Sequence, residues 1–372
     1  MMLKKWSDVL TIVSGKNQKA VVSPNGPYPI YGSGGIMGRA DDFLCEAGTT
    51  IVGRKGTINC PIFVNEPFWN VDTAFGISPG DELHPKYLYY FCCSFNFKEL
   101  DKSTTIPSLA KRDLLQIQMP VPHLNEQERI VSKIEELFSR LDASVAELQT
   151  AKEKLKVYRQ AVLKEAFDSV QANSKRVTIK SVCETIKVGI VIKPTQYYVE
   201  QGGVFAFRNA NVRRNYIEDK DWAMISQEGH QKNLKSQVHI GDVLIARSGV
   251  NLGMAATVPQ NYDGYNAIDV VIAVPKKEFI LSQYLAQYTN SPYGLEIVRK
   301  NQHGAAQVHL NVKEYGNLPI FLPNIPEQYS LLKKIESRLS VCDNIEQTID
   351  TSLQQAEALR QSILKQAFEG EM

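Results

Sequence analysis

The feature that most constrains this 372-residue chain is that it repeats itself. At an offset of 201 residues, Pro122, Glu126, Gln127, Lys133, Ile134, Glu135 and Asp142 fall on Pro323, Glu327, Gln328, Lys334, Ile335, Glu336 and Asp343 without a gap. Farther on, Arg159-Gln160, Leu163-Lys164 and Ala166-Phe167 fall on Arg360-Gln361, Leu364-Lys365 and Ala367-Phe368. Ordered identities at so long a period mean duplication of a whole folding unit. Elsewhere the match is thinner, although Glu46 to Gly56 resembles His239 to Gly249, each reading as a glycine turn, a buried strand and an Arg-x-Gly turn. A shared frame with divergent contents predicts one task performed twice, on two different targets.

Both repeats close on a helical stripe. From Ile130 the apolar positions run Ile134, Leu137, Leu141, Leu148, Ala151, Leu155, Tyr158 and Val162, in alternating steps of three and four broken at Ser144. The second copy runs Leu331, Ile335, Cys342, Ile345, Ile349, Ala356, Leu359 and Ile363, broken at Arg338 and Ser352. Neither stretch contains an internal glycine or proline beyond its start, and each begins beside prolines, Pro120 and Pro122 or Pro323 and Pro326. Roughly 42 residues rising about 1.5 Å each make a rod of about 60 Å, more than a compact domain needs inside itself. One such helix would be expected only to pack on its own domain. Two equal ones predict pairing, with Ile134, Leu137, Leu141, Leu148 and Leu155 on one meeting Ile335, Ile345, Ile349, Leu359 and Ile363 on the other. The expected organisation is α+β: a globular domain at 1–124, a helix at 125–173, a second globular domain at 174–325 and a second helix at 326–372, since a chain of this length exceeds one ordinary core.

Apolar residues at 43% and charged residues at 22% leave little room for long disorder. The start Met1-Met2-Leu3-Lys4-Lys5-Trp6 has no signal-peptide core, and apolar runs such as Ile268 to Val274 are too short to span a bilayer. A cytoplasmic protein without a membrane partner is expected, its six cysteines, none in a C-x-x-C pair, being free thiols. Lys and Arg exceed Asp and Glu by six over 1–124 and 174–325, and fall short by four over the helical stretches. That distribution suits nucleic-acid contact by the globular parts and protein contact by the helices.

No enzyme's constellation emerges. The chain has no Asn/Asp-Pro-Pro-Tyr/Phe signature of amino-methyltransferases and no G-x-x-x-x-G-K-[ST] loop. The glycines of Gly32-Ser33-Gly34-Gly35-Ile36-Met37-Gly38 are misplaced for a dinucleotide loop, and the six histidines show no metal spacing. Cys92-Cys93 lies in an apolar stretch and reads as core. What remains is chemistry for phosphates and base edges. Arg208, Asn209, Asn211, Arg213 and Arg214 combine the types that pair bidentately with guanine and adenine. Arg54-Lys55 and Arg247-Ser248 follow strands at turns, and Lys102-Ser103-Thr104 and Lys300-Asn301-Gln302 hold matching places before each helix. Any one cluster alone reads as a solvated loop; their recurrence in both halves makes them candidates for DNA contact.

The ordered set resembles the specificity subunits of type I restriction-modification systems over essentially the whole chain. The resemblance rests on Pro122-His123-Leu124-Asn125-Glu126-Gln127 and Pro323-Asn324-Ile325-Pro326-Glu327-Gln328, on the helix endings Arg159 to Phe167 and Arg360 to Gly370, and on the Tyr31-Gly32-Ser33-Gly34-Gly35-Ile36, Gly53-Arg54-Lys55-Gly56 and Phe68 to Thr73 segments. It implies two tandem target-recognition domains, each reading half of a split double-stranded DNA site. The helices would then form an antiparallel coiled coil with internal pseudo-twofold symmetry. Two methyltransferase subunits using S-adenosylmethionine would dock, with restriction subunits using ATP and Mg; no cofactor or metal would belong to this chain. Little precedes the first recognition domain, and Gly304-Ala305-Ala306-Gln307 fits the family's approach to the helix better than Thr104-Thr105-Ile106-Pro107. The rival expectations are a subunit of a type IIB-like enzyme, an enzyme in its own right, and a coiled-coil adaptor whose globular halves bind protein.

Overall fold

The computed structural model describes residues 2–300 and 309–370, without the side chains of 297–300. The first long helix spans Leu124–Gln171 and the second Ile325–Glu369, one to three residues off the expected bounds at each end. The chain forms two compact units, Met1–Thr150 with Ile349–Met372 and Ala151–Thr348. This division runs through both long helices, so each unit owns a globular part, the near half of the helix that follows or precedes it, and half of the other helix.

In the first unit, β2 (Leu10–Ser14), β8 (Ala74–Pro79), β5 (Thr49–Gly53) and β6 (Ile62–Val64) form a sheet in the order β2-β8-β5-β6. A second sheet, β4-β3-β7, joins β4 (Gly35–Ala40), β3 (Tyr28–Gly32) and β7 (Trp69–Asn70), and β1 (Leu3–Lys5) pairs with β9 (Gln118–Pro120). The second unit repeats this plan. Its four-stranded sheet is β11 (Cys183–Val188), β17 (Val270–Pro275), β14 (Val243–Ala246) and β15 (Ala255–Thr257), in that order. Its three-stranded sheet orders β13 (Ala223–Ile225), β12 (Val204–Phe207) and β16 (Asn266–Ala267), and β10 (Lys175–Thr178) pairs with β18 (Pro319–Leu322). Even the parallel pairing recurs, β3 with β7 and β12 with β16. Both β5 and β14 are buried at every position, which is why they read as unbroken apolar or threonine runs rather than alternating ones.

One glutamine in each half joins sheet domain to long helix. Gln127 is fully buried; its Oε1 accepts from His84 N at 2.8 Å, and its Nε2 donates to Glu82 O and Pro122 O, both at 2.8 Å. Gln328, also fully buried, accepts from Leu281 N at 2.9 Å and donates to Phe279 O at 2.8 Å and Pro323 O at 2.9 Å. His84 and Leu281 cap the short helices Pro85–Ser94 and Ser282–Asn290. The repeated Glu-Gln pair in the sequence is thus a repeated bolt: a buried amide whose donors and acceptor are all used.

The far end of the other helix completes each core. Phe368 packs on Tyr87 at 5.1 Å in the first unit, and Phe167 packs on Tyr284 at 5.4 Å in the second. Ile363, Leu364 and Ala367 join Ile130, Ile134 and Phe138 in the first core, and Leu163 and Phe167 join Leu331 and Ile335 in the second.

Within the second unit Arg159 meets Asp343 (2.7 Å) and Glu346 (2.9 Å), and Glu165 meets Arg338 (2.7 Å), so the helices run antiparallel. Within the first unit Arg360 pairs with Asp142. At the offset of 201 Arg360 and Asp142 correspond to Arg159 and Asp343, so the same pair recurs in each unit with the contributing helices exchanged. Of the expected pairing positions, Ile134, Ile335, Ile349 and Ile363 are buried, and Leu137, Leu141, Leu148 and Leu155 are half-buried. Ile345 (45% exposed) and Leu359 (51%) are corrections, since they stay outside the seam that Cys342 and Leu364 enter. A straight helix drifts about 20° per heptad from a strict repeat, so a stripe cannot face its partner throughout.

Among the described residues no helix is long and apolar enough to cross a membrane, and no group of His, Cys, Asp and Glu could hold a metal ion.

Candidate nucleic-acid interface

In the second unit the structure brings together two clusters that lie apart in sequence. Arg247 and Ser248 open the loop from β14 to β15, and the segment Arg208 to Glu218 follows β12. Between them stands Asp269, in the turn joining β16 to β17, with a left-handed backbone at φ 52°. Its Oδ1 lies 3.1 Å from Arg247 Nη1, and its Oδ2 accepts from Ser248 Oγ at 3.3 Å. Asn209 Nδ2 donates to Ser248 Oγ at 2.8 Å, and Asn209 Oδ1 accepts from Arg247 N at 2.8 Å. Asn251, 4% exposed, donates to Asn209 O at 2.9 Å and accepts from Arg213 Nη1. Arg213 also lies 3.6 Å from Glu218, Arg208 donates to the carbonyl of Asp221, and exposed Arg214 reaches Asn290 O at 3.5 Å. The arrangement is a rigid polar surface whose cations are held in place by short-range partners, so binding an anion there costs little ordering entropy.

Asn211 is a correction. Expected to touch DNA, it is fully buried, and its amide is spent on Glu218 O (3.1 Å), Lys220 O (2.8 Å) and Arg208 N (2.9 Å). It braces the loop that displays its neighbours. The side chain of Lys300, and Asn301 and Gln302 altogether, lie outside the described residues.

In the first unit Arg54 follows β5. Its Nη1 donates to the Asp72 carbonyl at 3.4 Å, and its guanidinium lies 5.8 Å from the Phe75 ring. Lys55 is exposed and bridges through its backbone to Ser108, while Gly56 N donates to Pro107 O at 2.9 Å. This lays the segment Pro107 to Leu109, which follows Lys102-Ser103-Thr104, beside Arg54-Lys55-Gly56. Lys102 pairs with Asp113 at 2.9 Å and holds that carboxyl below its usual range. Ser103 donates to Asp101 from Oγ at 2.7 Å and from N at 3.0 Å, and Ser108 N adds a third bond at 3.0 Å; these hold the Asp101 carboxyl low. Thr104 is exposed.

Two features escaped sequence reasoning. One is the aspartate pair Asp72 and Asp269, each behind a strand that pairs in parallel and each reached by the arginine of its half. The signal was present as a second internal offset, 197 residues, shared by Tyr87 and Tyr284. The other is the tie from Leu109 N to Arg54 O and from Leu310 N to Arg247 O, 2.9 Å in both units. It locks the arginine turn to the segment returning to the long helix. Burial pushes the Cys92 thiol well above its ordinary value and Cys93 up to about 11, the opposite of an activated nucleophile.

Comparison with known proteins adds an independent finding. Residues 1–153 match the family model described as the type I restriction modification DNA specificity domain. The chain is 25% identical over 347 residues to the EcoBI specificity subunit of Escherichia coli, spanning 87% of this chain and 73% of that one. It is 24% identical over 272 residues to the EcoKI specificity subunit of Escherichia coli strain K12, spanning 69% of this chain and 58% of the relative. Among solved structures, one from a study of complex assembly and conformational transition of the type I R-M system superposes with a TM-score of 0.74 at 17% identity, over 100% of this chain and 98% of the other.

Proposed function

Because the chain belongs to the specificity subunits of type I restriction-modification systems, we propose that each unit reads one half of a split duplex DNA site and that the chain presents that site to catalytic partners. Its own part is non-catalytic. One observation carries the reading: the same turn, Arg54-Lys55-Gly56 or Arg247-Ser248-Gly249, is locked by the same backbone bond in both units, yet displays different side chains. Fixed backbone with variable side chains is what two recognition heads of different sequence preference require, because phosphate contacts position and base contacts specify. Arg54, Lys55, Arg213, Arg214 and Arg247 supply the charge for phosphate or guanine, and Asn209 and Ser248 the polar edge groups. Methyltransferase subunits would bring S-adenosylmethionine, and restriction subunits ATP and Mg, in a cytoplasmic complex. The modest excess of six positive charges on the globular parts supports weak, salt-sensitive binding by the lone chain and specificity only in the complex.

The test is an exchange of residues 174–325 for the matching part of a relative, followed by methylome sequencing of cells that also carry the methyltransferase. One half of the methylated motif should change and the other persist. A motif altered in both halves, or methylation independent of this chain, overturns the reading.

A further inference from the structure

The loops that follow β5 and β14 are the same length, 54–61 and 247–254, and follow one plan. Each opens with an arginine tied to an aspartate, and each has a glycine two residues later in the left-handed region, Gly56 at φ 81° and Gly249 at φ 71°. Side chains other than glycine are strained there, so the turn is fixed in shape. Next comes an exposed β-branched residue, Thr57 or Val250, and then a buried anchor, Ile58 at 3% exposure or Asn251 at 4%. Val250 is 96% exposed.

A single exposed valine on a surface means nothing by itself. This one stands on a platform. Ser248 is bonded to Asp269 and Asn209, Asn251 to Asn209 O and Arg213, and Arg247 to Asp269. The neighbours are polar groups suited to base edges and phosphates, and the tip among them is a bare pair of methyl groups. A rigid stage presenting a small apolar group amid hydrogen-bonding side chains matches one feature of duplex DNA: the thymine C5-methyl, the apolar mark in the major groove beside donors and acceptors.

We propose that Val250 is a specificity-determining residue of the second unit that contacts a thymine methyl in its half-site. Resting on the DNA-reading role above, this names one base feature that role would use. Thr57 is the corresponding tip in the first unit, so changes at Val250 act on one half-site only.

The experiment uses the full chain assembled with its methyltransferase subunits, and duplexes carrying the motif that complex methylates. Each thymine in turn is replaced by deoxyuridine, which removes only the methyl group, and methyl-transfer rates at limiting enzyme are compared for the native chain and Val250→Ala. At one position in the second half-site deoxyuridine should slow the native complex about fourfold, the worth of one buried methyl-sized group. Val250→Ala should lose a similar factor on the thymine duplex and show no further loss on the deoxyuridine duplex. Being exposed, the substitution should leave the melting temperature of the chain unchanged. Independent, multiplicative losses, or a Val250→Ala complex indistinguishable from native on every duplex, overturn the thymine contact while the DNA-reading role stands. A native complex with no sequence preference overturns both.

Discussion

The two units hold their leading arginine differently. In the second, Arg247 is pinned by the carboxylate of Asp269, which also takes Ser248. In the first, the partners of Arg54 among the described residues are the main-chain carbonyl of Asp72 and the face of Phe75. The backbone beneath them is alike, with Leu109 and Leu310 donating to the two arginine carbonyls at the same 2.9 Å. Duplication has preserved what the main chain must satisfy and released what the side chains do. Backbone groups left unpaired in a buried turn are costly in any sequence, whereas a half-buried guanidinium at the surface can be satisfied by a carboxylate, a carbonyl or water.

If that division is sound, the sharpest losses come where the units agree. Gln127→Leu and Gln328→Leu each strand two carbonyls and an N–H in a dry site, at a cost of about 3 kcal/mol or more, equal in the two halves within error. Chemical denaturation followed by fluorescence would measure both. A cost confined to one half would show that the bolt is not shared.

A smaller effect should separate the units. Asp269→Asn tolerates the left-handed backbone and removes the charge facing Arg247, at a cost of about 1–2 kcal/mol. Asp72→Asn keeps the carbonyl that Arg54 uses and should cost close to nothing. Equal losses from the two substitutions, read from thermal melts, would break the contrast.

Smaller again are the exchanged helix pairs. Arg360 stacks 4.4 Å from the centre of Phe138 besides pairing with Asp142, whereas Arg159 meets two carboxylates and, among the described residues, no ring. Each arginine changed to Ala should cost about 0.5–1 kcal/mol at low salt. Adding salt should erase most of the Arg159 effect and less of the Arg360 effect, because screening acts on charge pairs and not on the packed ring.

The smallest concerns acid. The Asp101 carboxyl, held low by bonds from Ser103 and Ser108, steadies its loop at neutral pH. A depressed folded-state value means this contribution is full above the ordinary 3.8 and is lost as pH falls through the lower folded value. Amide exchange at Ser103 and Ser108 should quicken only below that range, with Asp101→Ala, which has no side-chain acceptor, exchanging fast at every pH.

Sequence alone determined the frame of this protein. The 201-residue offset, the paired helices and the arginine turns are written in local patterns, because apolar periodicity, glycine turns and duplicated identities are properties of neighbouring residues. Tertiary structure decided which polar residues face outward. Asn211 and Asn209 sit two positions apart in one basic segment and look alike as letters, yet one is sealed beneath the loop by Glu218 and Lys220 carbonyls and the other lines the surface with Ser248. Ile345 and Ile349 share a stripe, yet only Ile349 is covered. Such outcomes depend on what distant segments bring to the same place: Asp269 arrives from beyond β16, and Phe368 reaches Tyr87 across most of the chain. Short-range patterns cannot encode those meetings, since a side chain's exposure is set by contacts between residues far apart in the chain.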